Sequence, residues 1–140
     1  MRQMLIPFAV LPVFLAELAV LPLPSQAAEP MSAAEFDRYT QGKTLFYGLD
    51  GSPYGAERYL PNHRVIWSFL DGRCQEGIWY QEADQICFVY QNLGPPQCWS
   101  FTLTPDGLNA RFQNDPQATH LYEANEVDQE MICLGPEVGV

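Results

Sequence analysis

The chain has 140 residues, the material for one domain. Seven basic residues against seventeen acidic ones give a net charge of -10, which excludes a nucleic-acid partner, because a polyanion would be repelled and no basic stripe exists to hold it. Hydrophobic residues make up 47% and charged residues 17%, a globular composition rather than a disordered one.

Residues 1–27 read as an export signal. Arg2 supplies a short positive start, and Gln3 to Ala16 then runs fourteen residues without a charge before Glu17 interrupts. That run is shorter than the ~18–20 apolar residues a membrane span needs, and Pro7, Pro12, Pro22 and Pro24 make a poor spanning helix. Ser25-Gln26-Ala27 is a small-x-small cleavage site, so the cut is expected before Ala28. The alternative, a retained anchor from Met4 to Leu23, would carry Glu17 into the bilayer. Cleavage leaves a periplasmic or secreted chain with no membrane attachment.

Residues 28–42 are expected to hold one short helix. Ser32-Ala33-Ala34-Glu35 is a capping box, Met31 and Phe36 occupy the two staple positions, and Gly42 can end the helix after about Thr40. From residue 43 to 123 the periodicity changes to two. Candidate strands are Thr44–Tyr47, Ala56–Leu60, Arg64–Leu70, Glu76–Tyr80, Ile86–Tyr90, Cys98–Leu103, Leu108–Gln113 and His120–Glu123. Turn chemistry separates them at Asp50-Gly51, Pro61-Asn62, Asp71-Gly72, Gly94-Pro95-Pro96, Asp106-Gly107 and Asn114-Asp115-Pro116. The fold class is therefore all-β: a small antiparallel meander, barrel or sandwich, of about seven to eight short strands after one N-terminal helix. Residues 124–140 form an acidic tail that Cys133 can tether.

Cys74, Cys87, Cys98 and Cys133 read as two disulfides in an exported domain. Zinc is disfavoured, with no C-x-x-C and no histidine close to a cysteine. If Asp71-Gly72 is a two-residue type I′ turn, Leu70 pairs with Arg73 and Phe69 with Cys74. A loop over Gln81–Asp84 pairs Tyr80 with Gln85, Ile78 with Cys87, and places Phe88 opposite Gly77. A hairpin around Asn92–Pro96 then sets Cys87 opposite Cys98, within bonding distance, and leaves Cys74 about 13 Å from Cys87. The expected bridges are Cys87–Cys98 and Cys74–Cys133. The second closes a loop that the chain-entropy model values at roughly 4 kcal/mol.

This register gives two apolar faces. Val65, Trp67, Phe69, Ile78, Tyr80 and Val89 share one face with the hairpin disulfide. Ile66, Trp79, Ile86, Phe88, Tyr90, Trp99 and Phe101 share the other, with Trp79, Ile86 and Trp99 in one row. Trp79, Ile86, Trp99 and Phe101 are the candidate ligand or partner patch, unless the helix or tail residues Met131 and Ile132 cover them.

The common chemistries are missing from the spacing. No nucleophile elbow, phosphate-binding glycine loop or calcium loop is present. His63 reads as a solvated turn residue and His120 as an edge residue; Ser68 and Ser100 have no spacing that makes a triad with them. Glu76 and Glu82, and Glu57 beside Arg58 in mid-strand, read as solvated carboxylates. No catalytic residue, metal or cofactor is expected.

The stretch Tyr59 to Phe69, with Asp71-Gly72-Arg73-Cys74, Gly77-Ile78-Trp79-Tyr80, Ile86-Cys87-Phe88 and Cys98-Trp99-Ser100-Phe101, resembles small exported proteins of unknown function from Gram-negative bacteria. Its G-x-W and paired-cysteine pattern is also similar to lipocalin-like and periplasmic protease-inhibitor barrels. The resemblance implies a compartment and a shape, not an activity. The leading expectation is a non-catalytic, monomeric periplasmic binding or interaction module whose partner is a protein or a small apolar ligand. One alternative is a small-barrel protease inhibitor with Glu29-Pro30-Met31 projecting into a cleft. Another is a small apolar ligand carrier of lipocalin type, which needs an enclosed cavity of ~300 Å³ or more.

Overall fold

A computed structural model describes residues 21, 28–115, 117, 119–125 and 129–134. The expected leader, apart from Leu21, and the tail residues 126–128 and 135–140 lie outside the described residues. Helix α1 spans Ala33–Thr40. The capping box forms as expected: Glu35 N–H donates to Ser32 Oγ (3.4 Å), and Ser32 N–H donates to Glu35 Oε2 (2.9 Å). The helix ends at Gln41, and Gly42 follows with a φ of +80°, a conformation glycine adopts without steric cost.

Eight strands follow: β1 (Thr44–Leu49), β2 (Ser52–Tyr59), β3 (Arg64–Ser68), β4 (Gln75–Glu82), β5 (Gln85–Tyr90), β6 (Gln97–Thr104), β7 (Gly107–Phe112) and β8 (His120–Glu123). Each pairs antiparallel with the next, and β8 returns to β1 through Tyr47↔Glu123 and Gly48↔Tyr122. The sheet is thus a closed barrel in meander order. Closure leaves no edge, so His120, expected on one, instead pairs with Arg111 of β7.

Two turns differ from expectation, with different consequences. Between β3 and β4 the chain takes six residues, with Leu70 at φ +61° and Gly72 at +83°, and not a two-residue turn. The pairing becomes Arg64↔Ile78 and Trp67↔Gln75, one residue from the expected register. A one-residue slip turns every side chain of a strand over. Val65 and Trp67 therefore join Trp79, Phe88 and Phe101 inside the barrel, and Ile66 points outward. Between β4 and β5 the turn is Ala83-Asp84, with Ala83 at φ +53°, so Tyr80 faces Cys87, Ile78 faces Val89 and Phe88 faces Trp79. That shift is two residues, and the faces survive it. Ile86 faces Trp99, but the expected row is broken because Trp79 lies opposite Phe88.

Both expected disulfides are present. Cys87 and Cys98 are directly opposed across β5 and β6, with Cα atoms 4.0 Å apart. Cys74 joins Cys133 at a Cα distance of 5.3 Å and fixes the tail, whose Leu134 N–H donates to Gly72 O (2.8 Å). Disulfides of this kind are typical of proteins outside the cytoplasm. Among the described residues no helix is long and apolar enough to cross a membrane.

The two ends of the barrel are unlike. Helix α1 plugs the end that carries the β2–β3, β4–β5 and β6–β7 connections. Phe36, fully buried, packs against Tyr59, Trp79 and Phe101 with ring centroids 5.6, 5.2 and 4.5 Å away. Full burial of such a side chain is worth roughly 1.5–3 kcal/mol. Polar ties hold the plug: Met31 N–H donates to Phe101 O (2.7 Å), Ala33 N–H to Gln81 Oε1 (3.0 Å) and Tyr39 Oη to Glu123 Oε2 (2.8 Å). The opposite end is ringed by the β1–β2, β3–β4, β5–β6 and β7–β8 connections, and no helix covers it among the described residues.

Candidate functional site: the open mouth of the barrel

The mouth is built by strand alternation. Along β2, Gly55, Glu57 and Tyr59 face inward, opposite Tyr47 and Leu45 of β1 on one side and Trp67 and Val65 of β3 on the other. Gly55 makes room here: a Cβ at this position would run into the Trp67 indole. Phe88 and Tyr90 from β5 and Trp99 and Phe101 from β6 complete the aromatic wall. Together they enclose a cavity of about 50 Å³. Outside it, Tyr54, Leu93, Gln97 and Trp99 continue into a wider depression of about 290 Å³, also lined by Pro95, Pro96, Phe112, Asn114 and Thr119.

Four buried ionisable side chains face this interior. Glu57 is 1% exposed. Tyr90 Oη donates to its Oε1 (3.0 Å), and Oε2 has no hydrogen-bond partner. Burial pushes the Glu57 carboxyl well above the usual carboxylate range, and the Tyr90 hydrogen bond offsets only part of this. The Tyr47 and Tyr59 hydroxyls share a 2.7 Å hydrogen bond. Burial raises both phenols, and raises Tyr90 with help from the neighbouring Glu57. The wall is thus mostly aromatic, with one carboxyl whose protonated form burial favours. Such a wall can bind, orient and exchange a proton at Glu57.

Trp99 and Phe101 line the cavity. Trp79 and Ile86, 2% and 1% exposed, lie in the core away from it. The four candidate patch residues therefore do not share an exposed surface: barrel closure turns their face inward, and Phe36 packs on Trp79 and Phe101. Among the described residues the tail does not cover them; Ile132 is exposed, and Leu134 lies against Gly72 of the β3–β4 connection. Glu57, expected in solvent, is the residue that sequence reasoning missed. Glu76 and Glu82 are exposed. His63 is not a freely solvated turn residue, because its ring stacks on Trp79 at 3.6 Å. Glu82 lies beside Cys87 and Cys98, but those sulfurs are bonded to each other and offer no thiolate to a metal.

No family model, curated protein or solved structure matches the chain.

Proposed function

We propose that this protein is a non-catalytic, exported binding module whose site is the open mouth of the barrel. It takes a small ligand, or the tip of a larger one, into the cavity while the outer depression holds the remainder. The observation that carries this reading is Glu57, a lining residue of the cavity whose buried Oε2 has no hydrogen-bond partner. A buried polar atom left without a partner costs about 1–3 kcal/mol, and a ligand that supplies the partner recovers that cost.

A plug at one end, an open mouth at the other and a ring-lined interior resemble a lipocalin in miniature. The cavity, about 50 Å³, is far smaller than the roughly 300 Å³ of a drug-sized site, so a large enclosed apolar cargo does not suit it. The inhibitor reading needs residues 29–31 free to enter a cleft. Met31 is instead buried and hydrogen-bonded to β6. Two disulfides and the leader expected over residues 1–27 support a periplasmic or secreted location.

The test is a fragment screen by amide NMR on the purified protein. Shifts should gather at Tyr54, Leu93, Gln97 and Trp99. Hits confined to the outer face around Ile78 and Tyr80, or no hits at all, would remove the mouth as the site.

A further inference from the structure

The chemistry of the mouth narrows the ligand class, and the inference rests on the mouth being the binding site. Glu57 is the one carboxyl among the cavity's lining residues; its other neighbours there are overwhelmingly rings. Its directly opposed strand neighbours, Leu45 and Trp67, are apolar and donate nothing to the free oxygen. Aromatic faces attract cations through the ring quadrupole, and this attraction strengthens where water is excluded. A carboxyl set among such faces adds a counter-charge that no neutral ligand can use. The whole chain, at -10, also draws cations toward it. We propose that the mouth binds a small organic monocation, an alkylated ammonium head group, with the head against Glu57 and the rings of Tyr47, Trp67 and Tyr90.

Size agrees with this choice. The cavity of about 50 Å³ takes in part of a head group, and the outer depression holds the rest and a short chain behind it. The polar side chain of Gln97 at the rim can meet a hydroxyl or ester on that chain. A strongly hydrated metal ion fits less well, because a single carboxyl and a set of rings cannot replace its oxygen shell.

The proton balance follows. In the empty site burial favours the protonated form of Glu57. When the ammonium enters, the carboxyl ionises, the proton leaves to solvent and the ion pair stays behind. The ionisable groups facing Glu57 are the phenols of Tyr47 on β1, Tyr59 on β2 and Tyr90 on β5, with the Glu123 carboxylate of β8 acting beyond Tyr47. The phenols stay protonated and donate, so Glu57 is the group that releases the proton.

The experiment titrates choline and its uncharged isostere, 3,3-dimethylbutan-1-ol, into the purified protein and follows Trp67 and Trp99 fluorescence. Choline should bind at least about tenfold more tightly than the isostere, and Glu57→Gln should sharply reduce that preference, leaving only what the rings supply. Calorimetry across a pH series, in two buffers of different ionisation enthalpy, should show proton release on choline binding. Equal binding of the two probes, an unchanged preference in Glu57→Gln, or no proton release would overturn the proposal. The comparison of probes needs no variant, so it stands even if Glu57→Gln fails to fold. Uncharged fragments that bind the mouth while choline does not would remove the cation and keep the mouth; silence from every ligand would remove both.

Discussion

Glu57 and Arg58 are adjacent charges on one strand, and consecutive strand residues point to opposite faces. In a closed barrel one face is interior, so one of the two must go inside. The alternation was legible in the sequence, although Glu57 itself reads there as a solvated carboxylate. Which one goes in was not, because it depends on the register of β2 against β1 and β3, where Glu57 lies opposite Leu45 and Trp67. The burial has a consequence for stability. The folded state holds the Glu57 proton more tightly than the unfolded chain does. Stability contributed by that proton is complete below the unfolded carboxylate range, near pH 4.5, and is lost as pH rises toward the folded value. Urea unfolding of wild type and Glu57→Gln should therefore diverge with pH. The variant should gain on wild type above about pH 4.5, by no more than about 1.4 kcal/mol per pH unit. Parallel pH profiles would mean that Glu57 is ionised in the empty barrel.

At the scale of elements, the helix and the hairpins show what sequence can and cannot specify. Helix α1 was fully readable, because its capping box and staple positions are local and need no partner strand. Phe36 also shows what the helix is for, since its ring fills the plugged end against four other aromatic rings. Phe36→Ala should cost about 3–5 kcal/mol in urea unfolding, whereas Ser32→Ala, which removes only the cap, should cost about 1 kcal/mol. The β3–β4 hairpin was misread by one residue because Asp71-Gly72 has the composition of a tight turn. Leu70 instead adopts a positive φ and lengthens the connection, a conformation rare for leucine and not signalled by its neighbours. The error mattered because it moved Trp67 across the sheet. Trp67 in turn depends on Gly55 opposite the cavity wall, so Gly55→Ala should destabilise the barrel by about 1–3 kcal/mol through overpacking. It should also perturb the fluorescence of Trp67.

At the scale of the molecule, closure and the two bridges act on different parts of the chain. Cys87–Cys98 spans 11 residues and locks one hairpin, while Cys74–Cys133 spans 59 and ties the tail to the mouth end. Loop entropy values them at roughly 3 and 4 kcal/mol. Replacing Cys74 and Cys133 with serine should lower stability more than the same change at Cys87 and Cys98, and should expose the chain after β8 to protease first. Equal losses would place the weight of the long bridge in the native state rather than in the unfolded chain. The pairing was readable because directly opposed cysteines are geometrically compelled; closure of the sheet was not, because it rests on two residue pairs between β1 and β8. The plug at one end has a last consequence. A molecule that enters the interior has no through passage and must back out the way it came. Residence time is then governed by the rim connections alone, and a bulky substitution there should slow arrival and departure together while leaving the equilibrium nearly untouched.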